Sequence, residues 1–210
     1  QDDLPRMRRG LTIALQLSTL LVLPGMALLA AISEPLILQL IGEKWLPSAP
    51  YLQSLCVVGA LYPIHAINVN LLLAVGRSDL MFRIALIKKS LVALNILVTY
   101  QFGVQTMIYG MIVTSIIALG INAHYTKKLI NFGLKKQVRA IGRIALLAFS
   151  IFGFVWWLEY LFIQPPWVIL VAGGLSGVFM FFIGLRCMEE DLRSEIDRGI
   201  QRIFPKQFNG

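Results

Sequence analysis

A chain of 210 residues that is 57% hydrophobic and 14% charged lies outside the range of soluble domains, about 25% of whose residues are charged. So short a chain has too little interior to hide that much apolar surface, so lipid must cover much of it. The net charge of +8 does not read as a nucleic-acid footprint, because the basic residues cluster between apolar runs as membrane loops do.

Cys56 and Cys187 lack metal-type spacing and read as small apolar residues. The chain starts at Gln1, with neither Met nor a signal-type sequence, and reads as a piece of something longer. Its leader, Gln1 to Gly10, sets Arg6, Arg8 and Arg9 before the first apolar run, Leu11 to Ala31. Pro24 inside that run removes a helical hydrogen bond, so a bend is expected there. Thr12, Gln16 and Thr19 fall on one face, either bonding to a neighbouring helix or facing a hydrated cavity. The apolar part of the next segment, Pro35 to Ile41, is too short to span. It predicts an interfacial helix ending at Gly42, with Trp45 at headgroup level.

The second span runs from about Tyr51 to Val75 without a charged residue, yet holds Pro63, His65, Asn68 and Asn70. Polar groups at that depth must face protein or water. His65 is either a packed, hydrogen-bonded residue or a ligand contact. A charged reversal, Gly76 to Asp79, leads into the third span, Leu80 to Tyr100. Arg83, Lys88 and Lys89 penetrate that span, Lys88 by about 13 Å. Either these side chains snorkel to the interface, or Lys88, Asn95 and Thr99 form a polar stripe on a cavity wall.

The fourth span, about Thr106 to Tyr125, has Ser115 and Asn122 on one face, with Gly110 and Gly120 predicting close helix packing. A basic cluster follows, from Lys127 to Arg143. The fifth span, about Ile144 to Phe162, ends in an aromatic belt of Trp156, Trp157 and Tyr160 around a solvated Glu159. The sixth runs from Trp167 to about Met188 and is glycine-rich at 173, 174, 177 and 184. From Glu189 onward, Leu192, Ile196, Ile200 and Ile203 predict an amphipathic surface helix. Alternating the loops puts every basic residue except Lys44 on one side, which predicts six spans with both ends cytoplasmic.

These residues predict an all-α, polytopic membrane protein of six transmembrane helices, with a lobe at 1–188 and a cytoplasmic tail at 189–210. His65 and His124 belong to different spans, and no zinc, Walker or Cys/His motif occurs, so no enzyme, metal or cofactor is expected. Polar stripes with positive charge entering from the cytoplasmic side suit an anionic ligand, phosphate above all.

The run MRRGLTIALQLSTLLVLPGMALLAAISEPLILQLIGEKWLPSAPYLQSL, followed by NLLLAVGRSDLMFRIALIKK, resembles the second half of a Wzx-type polysaccharide flippase. Such flippases belong to the multidrug/oligosaccharidyl-lipid/polysaccharide (MOP) exporter superfamily. The most characteristic pieces are Pro24, the turn from Ile41 to Pro47, and the stretch from Ala74 to Arg77. The resemblance implies two six-helix lobes around a central cavity that opens alternately to each side, this chain being the C-terminal lobe. It implies Gln16, Thr19, His65 and Asn68 as cavity-lining residues, Arg83 and Lys88 as contacts for a lipid pyrophosphate, and Pro24 and Pro63 as hinges. The implied activity is flipping of an undecaprenyl-pyrophosphate-linked oligosaccharide across the bacterial inner membrane, for exopolysaccharide, capsule or O-antigen. The implied partners are that lipid-linked oligosaccharide, membrane lipid, the missing N-terminal lobe and a polysaccharide polymerase, with no nucleic acid. A cation-coupled small-molecule antiporter of the same superfamily and a non-transporting scaffold are the alternatives.

Overall fold

The computed structural model describes residues 4–161, 167–179, 181–182 and 186. Among them there is no strand. Helix α1 is Leu4–Ala31, α2 Ser33–Leu40, α3 Ala49–Ala74, α4 Ser78–Thr99, α5 Val104–Ile130 and α6 Leu134–Leu161; α7 is Trp167–Phe179. The stretches Leu4–Ala31, Glu43–Ala74, Val104–Ile130 and Leu134–Leu158 are each long and apolar enough to cross a membrane. The chain is an all-α, multi-pass membrane protein.

The turns follow from local chemistry. Pro35 and Pro50 sit in the first turns of α2 and α3, where a helix needs no N–H donor. At the end of α3, Gly76 takes φ 71°. Its N–H bonds Leu73 O, and that of Arg77 bonds Leu72 O, so the last carbonyls are satisfied by a left-handed cap. Arg77 then donates Nε and a terminal nitrogen to the Asp79 carboxylate at 3.0 and 3.1 Å. Asp79 lies in the first turn of α4, and the Arg77 hydrogen bonds hold its carboxyl below the usual range. Both side chains are about half exposed, so the pair sets the turn's shape more than its stability. Gly42, at φ 101°, closes α2 and admits a 3₁₀ turn, Glu43–Ser48, whose Trp45 is exposed as the sequence predicts.

In cross-section the helices follow the order α6, α1, α3, α5, α4, each packed on the next. Cross-helix bonds fix the register. Ser54 meets Gln105, His65 meets Ser115, and Asn68 meets Thr126, so α3 and α5 run parallel. Two parallel spanning helices require a return crossing between them, and α4 supplies it. The sequence places its third span there, Leu80 to Tyr100, although Asp79, Arg83, Lys88 and Lys89 dilute the apolarity of α4. The main core joins Leu15, Ile64, Leu71, Leu119, Ile130, Phe132 and Ile141. Outward-facing Leu21, Phe82, Leu146 and Phe149 are each at least 70% exposed, as a lipid-facing surface requires. Pro24 and Pro63 are buried within continuous helices.

Several expectations are corrected. The basic cluster from Lys127 to Arg143 is not a long loop. It forms the last turn of α5 and the first turns of α6, joined across Asn131, whose φ is 54°. Asn95 does not face a cavity. It is 8% exposed, donates Nδ2 to Met107 O at 3.2 Å, and lies over Gly110, where a Cβ would fall 1.7 Å from Oδ1. Gly120, also predicted to allow close packing, meets nothing within 4 Å. Gly173 rests against Ile32 and Val155, and Gly177 against Leu28, so α7 covers the end of α1. The sixth span past Phe182, the amphipathic tail, Cys187 and the side chains of Glu159 and Tyr160 lie outside the described residues.

The contrast between the two glycines is a direct check. Gly110→Leu overpacks the α4/α5 contact and destabilises the protein by about 1–3 kcal/mol. Its unfolding temperature in detergent falls, whereas Gly120→Leu leaves it within experimental error.

Candidate functional site

Polar side chains that a lipid interior would penalise are collected along one seam between α3, α5 and α6. Each lies there because helical spacing puts it on an inward face. On α5, Ser115, Asn122 and Thr126 follow at i, i+7, i+11, and on α3 His65 and Asn68 follow at i, i+3. On α6, Gln137 heads a buried stripe continued by Ile141, Ile144, Ala148, Ile151 and Val155.

The half of the seam nearer the Gly76 turn is saturated. Asn68 donates Nδ2 to Ile64 O at 2.7 Å and to Gln137 Oε1 at 2.9 Å. Its Oδ1 accepts from Gln137 Nε2 at 2.9 Å and from Thr126 Oγ1 at 2.6 Å. Two donors and two lone pairs are the whole capacity of an amide. Gln137 also donates Nε2 to Phe132 O at 3.1 Å. Asn68, Thr126 and Gln137 are all at most 1% exposed. A head-to-tail amide pair therefore locks α6 onto α3 and α5.

Above it, the half-buried His65 ring is held from both sides by α5. Nε2 is 3.0 Å from Ser115 Oγ, and Asn122 Nδ2 is 3.1 Å from Nδ1. The other atom of the same amide, Asn122 Oδ1, is buried without a hydrogen-bond partner. Lys88 comes from α4. It and His65 lie on opposite arms of the Gly76 hairpin, each about 17 Å from the turn by helical rise. Lys88 is half-buried. Among the described residues no group of three or more His, Cys, Asp or Glu side chains could hold a metal ion.

The six predicted site residues therefore separate. His65 and Lys88 lie at similar heights on the two arms of the Gly76 hairpin, and Asn68 joins the adjoining seam with its hydrogen-bonding capacity used. Gln16 reaches across to α6, donating Nε2 to Ala140 O at 3.2 Å, which is the helix–helix option. Thr19 is fully buried and bonds Leu15 O of its own helix at 2.6 Å. Arg83 is exposed on α4, about 10 Å from the Gly76 turn. Gln137 was missed because it stands inside the basic cluster. The apolar stripe four residues further on was the available signal. A third segment joins on the same side: Arg8 of α1 donates Nε to Ile130 O at the end of α5.

Removing one member of the amide pair leaves the other buried and unpaired, at a cost of about 1–3 kcal/mol. Asn68→Leu and Gln137→Leu each lower the unfolding temperature in detergent. The double variant recovers most of the loss, because two apolar groups then face each other.

Comparison with known proteins falls on the first part of the chain. A family model described as "Polysaccharide biosynthesis protein" matches residues 1–50, which cover α1, α2 and the turn that precedes α3. The teichuronic acid biosynthesis protein TuaB of Bacillus subtilis (strain 168) is 36% identical over 76 residues, or 36% of this chain and 16% of TuaB. The chain thus matches a small part of that relative's length. No solved structure matches it. Pro24 and the turn from Ile41 to Pro47 lie within the family match. Over this first part, the chain is similar to polysaccharide biosynthesis proteins.

Proposed function

We propose that the complete protein moves an undecaprenyl-pyrophosphate-linked oligosaccharide across the bacterial inner membrane, with both ends of this segment in the cytoplasm. It would serve the assembly of exopolysaccharide, capsule or O-antigen. The observation that carries this reading is the placement of Lys88. A cation at mid-depth, half-buried beside a polar seam, is expensive in a membrane and marks a place where a counter-charge passes. Phosphate suits an ammonium as a point charge, and attraction grows where water is scarce. The match to polysaccharide biosynthesis proteins supplies the class of cargo.

In this reading Lys88 and the His65 region receive the pyrophosphate, while Arg83, nearer the cytoplasmic end of α4, meets it on entry. The saturated amides of Asn68 and Gln137 hold the wall rather than the ligand. Gln16 ties α1 to α6, while Thr19 is bonded within α1. Pro24 and Pro63, each missing one backbone hydrogen bond, are the places where α1 and α3 bend as the lobe rocks. Transport needs no covalent step, so no enzymatic residue is assigned. The missing N-terminal lobe closes the passage from the other side, membrane lipid surrounds both, and a polysaccharide polymerase takes the product.

The test is neutralisation of Lys88 in the complete protein. Lys88→Gln lowers polymer export in a complementation assay at least tenfold with membrane levels unchanged, and Lys88→Arg retains most of it. Export equal to wild type in Lys88→Gln removes the phosphate contact.

A further inference from the structure

The environment of His65 holds one feature that packing alone does not use. An amide nitrogen can only donate, so the 3.1 Å contact from Asn122 Nδ2 makes Nδ1 an acceptor. The ring is then neutral, with its proton on Nε2 facing Ser115 Oγ at 3.0 Å. Asn122 Oδ1 is buried and lacks a donor, in a residue 1% exposed. A half-turn of the amide about its own bond exchanges the two atoms. An Nδ1–H would then meet Oδ1, and the ring would keep both its neighbours. The turned amide leaves Nδ2 where Oδ1 had been, but a hydrogen bond from a charged donor is about twice as strong as a neutral one.

We propose that His65 is a proton-binding site, its doubly protonated ring held between Ser115 Oγ and Asn122 Oδ1, and that this proton is taken up together with an anion at Lys88. The proton comes from water and adds to the Nδ1 lone pair, and no other bond breaks. The coupling to an anion rests on the reading in which Lys88 receives phosphate. It follows from Coulomb repulsion, since a second positive charge beside Lys88 is opposed until an anion lies between them.

The other charged and titratable groups lie elsewhere. Helix α3 carries no charged residue, and its Tyr51, Cys56 and Tyr62 precede His65. On α1, Arg6, Arg8 and Arg9 are confined to the first turns, with Arg8 reaching Ile130, about 12 Å along α5 from Asn122. On α5, Lys127 and Lys128 are exposed beyond Asn122, His124 is exposed, and Tyr109 and Tyr125 sit on other turns. Arg83 and Lys89 of α4 are exposed, as are Lys135, Lys136, Arg139 and Arg143 of α6. Glu34, Glu43 and Lys44 lie at the far end of α3, and Asp79 pairs with Arg77.

The test is nitrogen NMR of the histidine rings in the full-length protein in lipid nanodiscs, over about pH 5 to 8. The His65 signal is assigned by its loss in His65→Asn and its survival in His124→Asn. At neutral pH without added anion the ring shows the Nε2–H form. Saturating inorganic pyrophosphate raises the doubly protonated fraction at pH 6 at least threefold, and Lys88→Gln abolishes that response. Asn122→Leu lowers the doubly protonated fraction several-fold, and Asn122→Asp restores or exceeds it. A ring that stays singly protonated throughout the range, with and without pyrophosphate, overturns the proposal, as does an Nδ1–H form at neutral pH. Calorimetry with pyrophosphate separates the two readings. Binding with a silent His65 overturns the proton site and leaves the phosphate contact standing. Absence of binding overturns the phosphate contact and the coupling. The proton site then stands only if wild type becomes doubly protonated within the range and Asn122→Leu does so less.

Discussion

A pair of carboxamides, Asn68 and Gln137, facing each other head to tail inside a membrane helix bundle, is the constraint on which the rest of this structure depends. Neither can turn to lipid, and neither finds water in its place, so each must find the other. With Thr126 and the Ile64 carbonyl added, every bonding position of Asn68 is filled, and Gln137 donates further to the Phe132 carbonyl. The consequence is a fixed register for three helices that are far apart in sequence. Apolar side chains alone could slide past one another by a turn at little cost. Two amides cannot, because a shift leaves both unpaired. The core of Leu15, Ile64, Leu71, Leu119 and Ile141 is packed around that fixed point.

That same lock divides the seam by function. On the side nearer the Gly76 turn, hydrogen bonding is complete, which makes a wall. At His65, one turn of α3 earlier, it is incomplete, with one amide oxygen lacking a donor and a half-buried lysine at similar height on α4. Incomplete satisfaction next to complete satisfaction is how a membrane protein can hold one part still while leaving another able to change partners. His65 is anchored from α5 alone, while its neighbouring charge arrives on α4. A relative movement of α4 against α5 would therefore alter the electrostatics at the ring without breaking the amide pair.

The fold was largely legible in the residues, and the partnerships were not. Uncharged runs marked α1, α3, α5 and α6, because lipid demands length and apolarity. Gly42, Gly76 and Pro50 marked the turns. The extent of α5 and α6 was hidden, because helices that rise above the bilayer carry lysine and arginine and look like loops. Gln137 was lost for that reason. The polarity of His65 and Asn68 was plain, but which helix each would face was not. Pairing between α3 and α6 depends on how the chain folds back, and no periodicity within one helix records it. Gly110 and Gly120 look alike in sequence. Only the arrival of Asn95 from α4 makes one of them a close approach and leaves the other open.

The position of α4 also bears on how this protein is made. Bracketed by Gly76 and Gly103, both with positive φ, it has Ile84 and Asn95 as its buried residues and carries three cations, Arg83, Lys88 and Lys89. By itself it is a poor candidate for partitioning into lipid, since each central cation opposes insertion by about 2.5–3.5 kcal/mol. Its two neighbours enter readily and run in the same direction. The place of α4 in the membrane thus depends on the packing of α3 and α5 against it. Lys88 then reaches the middle of the bundle only in company with the helices that flank it.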